Sequence, residues 1–248
     1  MSNGGNRIYW NKSSDDYQER HNQILTAEAL AWGVWRIPES QLQVLGDVSG
    51  KILLEYGCGA AQWSIALAQA GVDVIGLDLS DRQLEHAREN MTRAESLFPL
   101  IQADGEHVPF RSSCFDIVFC DHGVMSFAQP EKAIKEVARI LRPGGLFAFC
   151  MSSPLRELCW NEKTDTVTDR LITDYFKMEK FAYEESTSYQ YGYGKWIRLF
   201  VQNGLTVEDL IDLRAPAGRS TTYSDFVPKS WARKWPAENI WKVRKKID

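Results

Sequence analysis

Four acids recur through the middle of this 248-residue chain, Glu55, Asp78, Asp104 and Asp121, each following a short run of mostly apolar residues. After Glu55 come Gly57 and Gly59, one residue apart, and then a helix-like segment. A glycine pair in that setting lets a ligand approach bare backbone. The acid ahead of the glycines narrows the ligand: it repels a pyrophosphate and suits a group bearing positive charge or hydrogen-bond donors. A dinucleotide fingerprint would need glycine where Gln62 stands, and a phosphate loop would need a Lys-Ser/Thr ending that is missing. His122 directly follows Asp121. A neutral imidazole there can take a proton from a hydroxyl or amine, although the position equally suits a histidine packed beside a ligand.

Such residues need a frame to bring them together. Residues 51–56, 73–77, 98–102, 115–120 and 146–151 have the length and apolar content of strands. The run 115–120 is continuously apolar apart from Asp116, as expected of a strand covered on both faces. Helical patterns fill 61–70, stopped by Gly71, then 81–94, capped by Ser80, and 130–141, closed by Arg142-Pro143-Gly144-Gly145. This alternation predicts an α/β fold with a parallel, doubly wound sheet, whose ligands lie beyond the carboxyl ends of the strands. The four acids fall at that rim. A leading helix is expected over 18–35. After Met151 the rhythm lapses into a polar and aromatic stretch, then resumes with a helix at 195–202 and strands at 205–213 and 240–245.

Composition excludes several classes. A net charge of −4 gives no global field for nucleic acid or anionic membrane, and no apolar run approaches the ~20 residues a spanning helix needs. Five cysteines without a CxxC pair suggest reduced thiols and a cytoplasmic protein. They form no zinc pattern with the four histidines, so no metal is expected.

As a group, these motifs resemble the class I S-adenosylmethionine-dependent methyltransferases, in their small single-domain, type 11-like form. Glu55-Tyr56-Gly57-Cys58-Gly59 matches that family's first motif, E/D-x-G-x-G, with Ala61 where a third glycine is common. Gly76-Leu77-Asp78-Leu79-Ser80 resembles the second, and Gln102-Ala103-Asp104-Gly105-Glu106 opens the third. Phe115-Asp116-Ile117-Val118 and Leu141-Arg142-Pro143-Gly144-Gly145 complete a set in the family's order over residues 50–151. The resemblance implies a Rossmann-like, mainly parallel seven-stranded sheet with helices on both faces, in one domain. Within it lie an N-terminal helical cap (1–45), a cofactor core (46–151), a substrate-side insertion (152–194) and the C-terminal part of the sheet (195–248).

It also implies roles. Gly57, Cys58 and Gly59 would let backbone approach the methionine part of the cofactor, with Glu55 near its amino group. Asp78 would accept from both ribose hydroxyls, since a carboxylate has two oxygens for two donors. Leu79 would pack on the adenine, Asp104 would accept from its exocyclic amine, and Gly105 would offer its amide, with Glu106 beside them. Cys120 or Asp121 would line the space below the sulfonium, and an aromatic residue of the leading segment, Tyr17 or Trp10, would cover the cofactor. His122 is the candidate catalytic base, although methyl transfer owes much of its acceleration to alignment.

Absences narrow the acceptor. No Asn/Asp-Pro-Pro-Tyr/Phe follows the fourth strand and no Pro-Cys occurs, which argues against DNA methylation. Aromatic residues of the insertion, among them Tyr175, Phe176, Phe181, Tyr183, Tyr189 and Tyr193, can wall a pocket for an apolar or planar small molecule or form a satellite core. The basic residues interleaved with Trp231, Trp235 and Trp241 fit an amphipathic closing strand, or RNA contact through charge and stacking. A small-molecule methyl acceptor is the leading expectation. A protein that holds the cofactor without transfer, an RNA or protein methyltransferase, and a nicotinamide-dependent oxidoreductase are the alternatives.

Overall fold

The computed structural model describes residues 4–182 and 185–247. Helix α1 (Gly4–Ala27) leads. Alternating elements follow: β1 (Ile52–Tyr56), α2 (Gln62–Gln69), β2 (Asp73–Asp78), α3 (Asp81–Arg93), β3 (Leu100–Gln102), β4 (Phe115–Asp121), α4 (Pro130–Ile140) and β5 (Leu141–Ser152). Helix α5 (Tyr193–Gln202) and strands β6 (Leu205–Leu213) and β7 (Glu238–Lys245) finish the main sheet. Among the described residues its seven strands run in the order β6-β7-β5-β4-β1-β2-β3. Strands β1 to β5 pair in parallel, and β7 lies antiparallel between β5 and β6.

Both faces are covered, which is why β1 and β4 read as near-continuous apolar runs. On one face Tyr56, Val118, Phe147, Phe149, Trp196 and Trp241 pack together; on the other, Trp32, Leu53, Trp63, Ile117 and Phe119 do. Register brings the strand ends to one rim: Glu55 faces Gly76 and Phe119, Asp78 faces Gln102, and Asp121 faces Cys150. Local signals fix the helices that start there. The Ser80 hydroxyl accepts from the Gln83 amide at 3.1 Å, and Pro130 opens α4, where its missing N–H costs nothing.

The leading helix departs from its expected span. It starts at Gly4 and ends at Ala27, whereas 28–38 form a turn with a small antiparallel pair, Ala31–Trp32 with Ile37–Pro38. The apolar spacing of Trp32, Val34, Trp35 and Ile37 reflects core burial of that turn rather than a helix face, and Arg36 sits at φ 49°, outside helical space. All four buried side chains of α1 are polar: Asn6, Ser14, Gln18 and His21. That is a poor amphipathic signature and the reason its periodicity misleads.

The segment Arg142-Pro143-Gly144-Gly145 lies inside β5 rather than before it. Phe115 pairs with Leu141 and Ile117 with Leu146, so the extra residues form a bulge. Beyond β5 the chain makes a short helix (Pro154–Cys159) and two small hairpins. Tyr183 lies outside the described residues. In β7, Trp241 is buried, Arg244 is paired with Glu208, and Lys245 donates to the Leu141 carbonyl at 2.7 Å, as a closing strand requires, whereas Trp231 is buried in a short helix, Lys229–Ala232. No helix among the described residues is long and apolar enough to cross a membrane.

Candidate active site

A cavity of about 710 Å³ opens at the carboxyl rim of the sheet, within the range of small-molecule sites. Its floor is built by the first two strand ends. Asp78, at the end of β2, accepts from the Gly59 amide at 2.9 Å with one oxygen and from the Ser80 amide at 2.8 Å with the other. Burial raises its pKa against these bonds. Glu55 reaches under the turn, where one oxygen takes both the Ser64 amide (3.0 Å) and the Ser64 hydroxyl (2.5 Å). Burial pushes its carboxyl up to about 8 despite those bonds. Both acids line the cavity with Gly57, Cys58 and Gly59 between them.

Gly57 has a reason beyond the ligand. At φ 91°, an added Cβ would lie 2.5 Å from the Val124 amide nitrogen and 2.7 Å from Gly123 Cα. The turn after β1 therefore rests backbone-to-backbone on the turn after β4. Leu79, Asp104 and Gly105 line the same cavity, with Asp104 accepting from the Glu106 amide at 2.9 Å and the Gly105 carbonyl accepting from Tyr56 Oη.

Two sequence candidates do not line the cavity. Glu106 turns inward, its side chain fully buried, and accepts from the Gln129 amide and Lys132 Nζ, pinning the loop after β3 to the start of α4. Cys120 points into the core below β4, where burial pushes its thiol up to about 12. Strand alternation is the reason: its neighbour Asp121 faces the cavity instead.

The roof comes from both ends of the chain. Trp10 meets Tyr17 and Phe127 edge-on, with centroids 5.5 and 5.2 Å apart. The Tyr17 hydroxyl lies 2.7 Å from that of Tyr223, whose ring stacks on His21 at 4.0 Å. Asn6 straps α1 down, donating to the Phe127 and Thr187 carbonyls and accepting from the Thr187 amide. Among the described residues, no ring of the 152–194 insertion lines the cavity; that segment contributes Ser152, Arg156, Glu157, Glu185, Ser186 and Ser188. Tyr191 is instead buried in the core, and Phe176 is 93% exposed. The aromatic lining is supplied by α1, Trp63 of α2, Phe127 and the loop carrying Tyr223 and Phe226.

His122 lies at the far wall. Its φ is 55°, its amide donates to the Cys150 carbonyl at 3.0 Å, and its Nε2 sits 2.6 Å from Glu238 Oε1. Burial works to lower the imidazole pKa, but the Glu238 bond and charge outweigh it, leaving the value raised. Asp121 beside it is held by Arg36 (3.1 Å) and the Gly33 amide (3.0 Å). Ligand-type atoms of Asp121, His122 and Cys150 come within 4.8 Å of one another. The Arg36 guanidinium already supplies the positive charge at Asp121 that a metal ion would bring.

The lining residues fit a sulfonium nucleoside with an amino-acid tail. One Glu55 oxygen is left for an ammonium group. The Trp63 indole N–H and Arg36 Nε are buried without a partner among the described residues, donors that suit a carboxylate. Asp78 retains lone pairs for a vicinal diol. Sequence reasoning did not single out Arg36, Trp63, Arg156, Tyr223, Phe226 or Glu238. Arg36 directly follows the expected end of the leading helix, and Glu238 precedes the expected start of β7.

A model of the methyltransferase domain matches residues 54–149. A demethylmenaquinone methyltransferase from Staphylococcus aureus (strain JH9) is 31% identical over 174 residues, covering 69% of this chain and 66% of that protein. One from Staphylococcus carnosus is 32% identical over 143 residues, 56% of each chain. The chain thus spans about half to two thirds of the length of the curated relatives it matches. The fold is shared with an S-adenosylmethionine-dependent methyltransferase from Mesorhizobium loti, at TM-score 0.66 and 18% identity over 83% of this chain and 96% of that one.

Proposed function

The chain belongs to the class I S-adenosylmethionine-dependent methyltransferases, and on that premise we propose that it methylates a small-molecule acceptor held beneath α1. The observation that carries this reading is one continuous cavity with Glu55, the Gly57–Gly59 turn and Asp78 on its floor and His122 on its wall. Glu55, Trp63 and Arg36 hold the methionine end, Asp78 the ribose, and Leu79, Asp104 and Gly105 the adenine. When bound, S-adenosylmethionine supplies an electrophilic methyl: the acceptor's lone pair forms the new bond, and the C–S electron pair returns to sulfur.

The protein's own part is positioning and exclusion of water. Trp10 and Tyr17 cover the cofactor, and Tyr223 and Phe226 close the acceptor side with α1 above them. His122 takes the acceptor's proton. The ring-lined cavity supports a planar small molecule, and relatives named for demethylmenaquinone make ring-bearing acceptors of that kind the first to try. Five free thiols support the cytoplasm as its compartment.

Isothermal titration of the whole protein with S-adenosylmethionine, S-adenosylhomocysteine and NAD tests the cofactor assignment. Binding of both adenosyl ligands and none of NAD is expected; the reverse pattern sinks it. Labelled S-adenosylmethionine with metabolite extract then separates transfer from mere binding, since a binder labels no product.

A further inference from the structure

The wall of the cavity holds an arrangement that specifies how a proton leaves the acceptor. Glu238, the first residue of β7, is fully buried, and its Oε1 takes the Val34 amide at 2.8 Å, His122 Nε2 at 2.6 Å and the Cys150 thiol at 3.8 Å. The space for that carboxylate exists because residue 33 is glycine: a Cβ there would lie 2.6 Å from Glu238 Oε1. His122 is held to it by a backbone in the left-handed region, which few non-glycine residues occupy and which clusters at functional sites. Its Nδ1 has no hydrogen-bond partner among the described residues, and the ring lines the cavity, with Phe226 edge-on at 5.7 Å.

Resting on the methyltransferase reading, we propose that His122 and Glu238 form a dyad: the carboxylate fixes the imidazole proton on Nε2, and the Nδ1 lone pair takes the proton of a hydroxyl acceptor, a phenol or enol. The acceptor's O–H bond breaks, its proton moves to Nδ1, and its electron pair is freed for the methyl carbon. The imidazolium that results is stabilised by Glu238 and returns its proton to water after product leaves. Glu238 is the positioning residue and His122 the catalytic one. Of the other lining carboxyls, Asp121 is paired with Arg36, Glu157 with Arg156 and Glu185 with Lys12, Asp104 accepts from the Glu106 amide, and Glu55 and Asp78 serve the cofactor end of the floor. An acceptor lacking an acidic proton, such as a tertiary amine or thioether, has no use for this pair.

The charged and titratable groups facing His122 are Glu238 from β7, Asp121 from β4, Cys150 from β5 and Arg156 from the helix after β5. Nitrogen-15 NMR of the free, full-length protein reads the imidazole directly, with His122→Asn identifying its resonances among the four histidines. The expected result is a neutral form protonated at Nε2 and a titration midpoint above the ordinary 6.5, which Glu238→Gln moves downward. A neutral form protonated at Nδ1 in the unaltered protein overturns the dyad, and needs no variant to fold. So does a midpoint that Glu238→Gln leaves in place. In turnover of simple phenols, His122→Asn should lower kcat by about 10² to 10⁴ while S-adenosylmethionine affinity stays within about twofold. Equal kcat with the same phenols also overturns it. Failure of the unaltered protein to bind S-adenosylmethionine would instead remove the underlying reading, so the two failures are distinguishable.

Discussion

Replacing Glu55 by Gln separates what this carboxyl does for the ligand from what it costs the fold. The side chain is 5% exposed, and burial moves its pKa from 4.5 to about 8, with Ser64 offsetting part and the charges of Asp121 and Asp78 adding to the rise. A carboxyl whose folded value lies above its unfolded one stabilises fully below the unfolded value. That contribution falls away as pH climbs from about 4.5 to about 8, because the unfolded chain ionises freely while the folded one resists. The two values differ by an amount equivalent to about 5 kcal/mol, an upper bound since buried sites relax around a charge. Gln keeps an acceptor for Ser64 and never ionises. In thermal melts of the free protein, the melting temperature of Glu55→Gln relative to the parent should therefore rise from pH 5 to pH 9. At about 2–4 °C per kcal/mol for a chain of this size, the gain should exceed about 5 °C. Titration calorimetry supplies the other half. At pH 7 the parent should release close to one proton on binding S-adenosylmethionine, as the ligand's ammonium draws the carboxyl into its ionised form. Glu55→Gln should release none and bind about 10- to 100-fold more weakly, the worth of a charge-assisted bond. A melting difference that stays flat between pH 5 and pH 9 would refute the reasoning.

Other perturbations follow from the same geometry. Gly57→Ala should cost more than about 2 kcal/mol in denaturant unfolding, because its Cβ would meet the Val124 amide at 2.5 Å; an unchanged midpoint would contradict the backbone contact. Ala61 opens α2 at φ 61°, so Ala61→Gly should relieve about 1–2 kcal/mol of strain. The ~0.4–1 kcal/mol of extra chain entropy and the ~0.8 kcal/mol lost with the buried Ala61 methyl offset that relief, so the melting temperature should stay within about 3 °C, and a larger fall would count against the strain. Asp78→Asn should weaken S-adenosylmethionine binding at least about tenfold by calorimetry while secondary structure by circular dichroism persists. Equal affinity would remove Asp78 from the ribose site.

The sheet was legible because its signals are local. Strands covered on both faces leave unbroken apolar runs, and Ser80 and Gly71 punctuate the helices between them. Legibility of the site follows the same division. Glu55, Asp78, Asp104 and Asp121 end strands or begin the turns after them, so strand prediction alone brings them to one rim. Glu106 and Cys120 were placed by motif position, and neither lines the cavity, because orientation within a loop or strand is set by packing. The roof was illegible for a different reason. Its contacts, like those of the wall, join residues far apart in the chain, Tyr17 with Tyr223 in the roof and His122 with Glu238 in the wall. No spacing rule connects them. The aromatic composition of the insertion does not fix where its rings go: Tyr191 serves the core and Phe176 faces solvent.

The polar underside of α1 has a thermal consequence. Detaching this helix hydrates Asn6, Ser14, Gln18 and His21 together with the half-buried rings of Trp10 and Tyr17. Hydration of polar surface lowers heat capacity, whereas hydration of apolar surface raises it. The two contributions offset in part, so the free energy of lifting α1 curves less with temperature than that of unfolding the sheet beneath it. Amide hydrogen exchange should resolve two populations: α1 amides with shallow temperature dependence, and strand amides with a pronounced stability maximum. A roof of rings seated among amides and hydroxyls changes its grip less on cooling than a purely aliphatic one would.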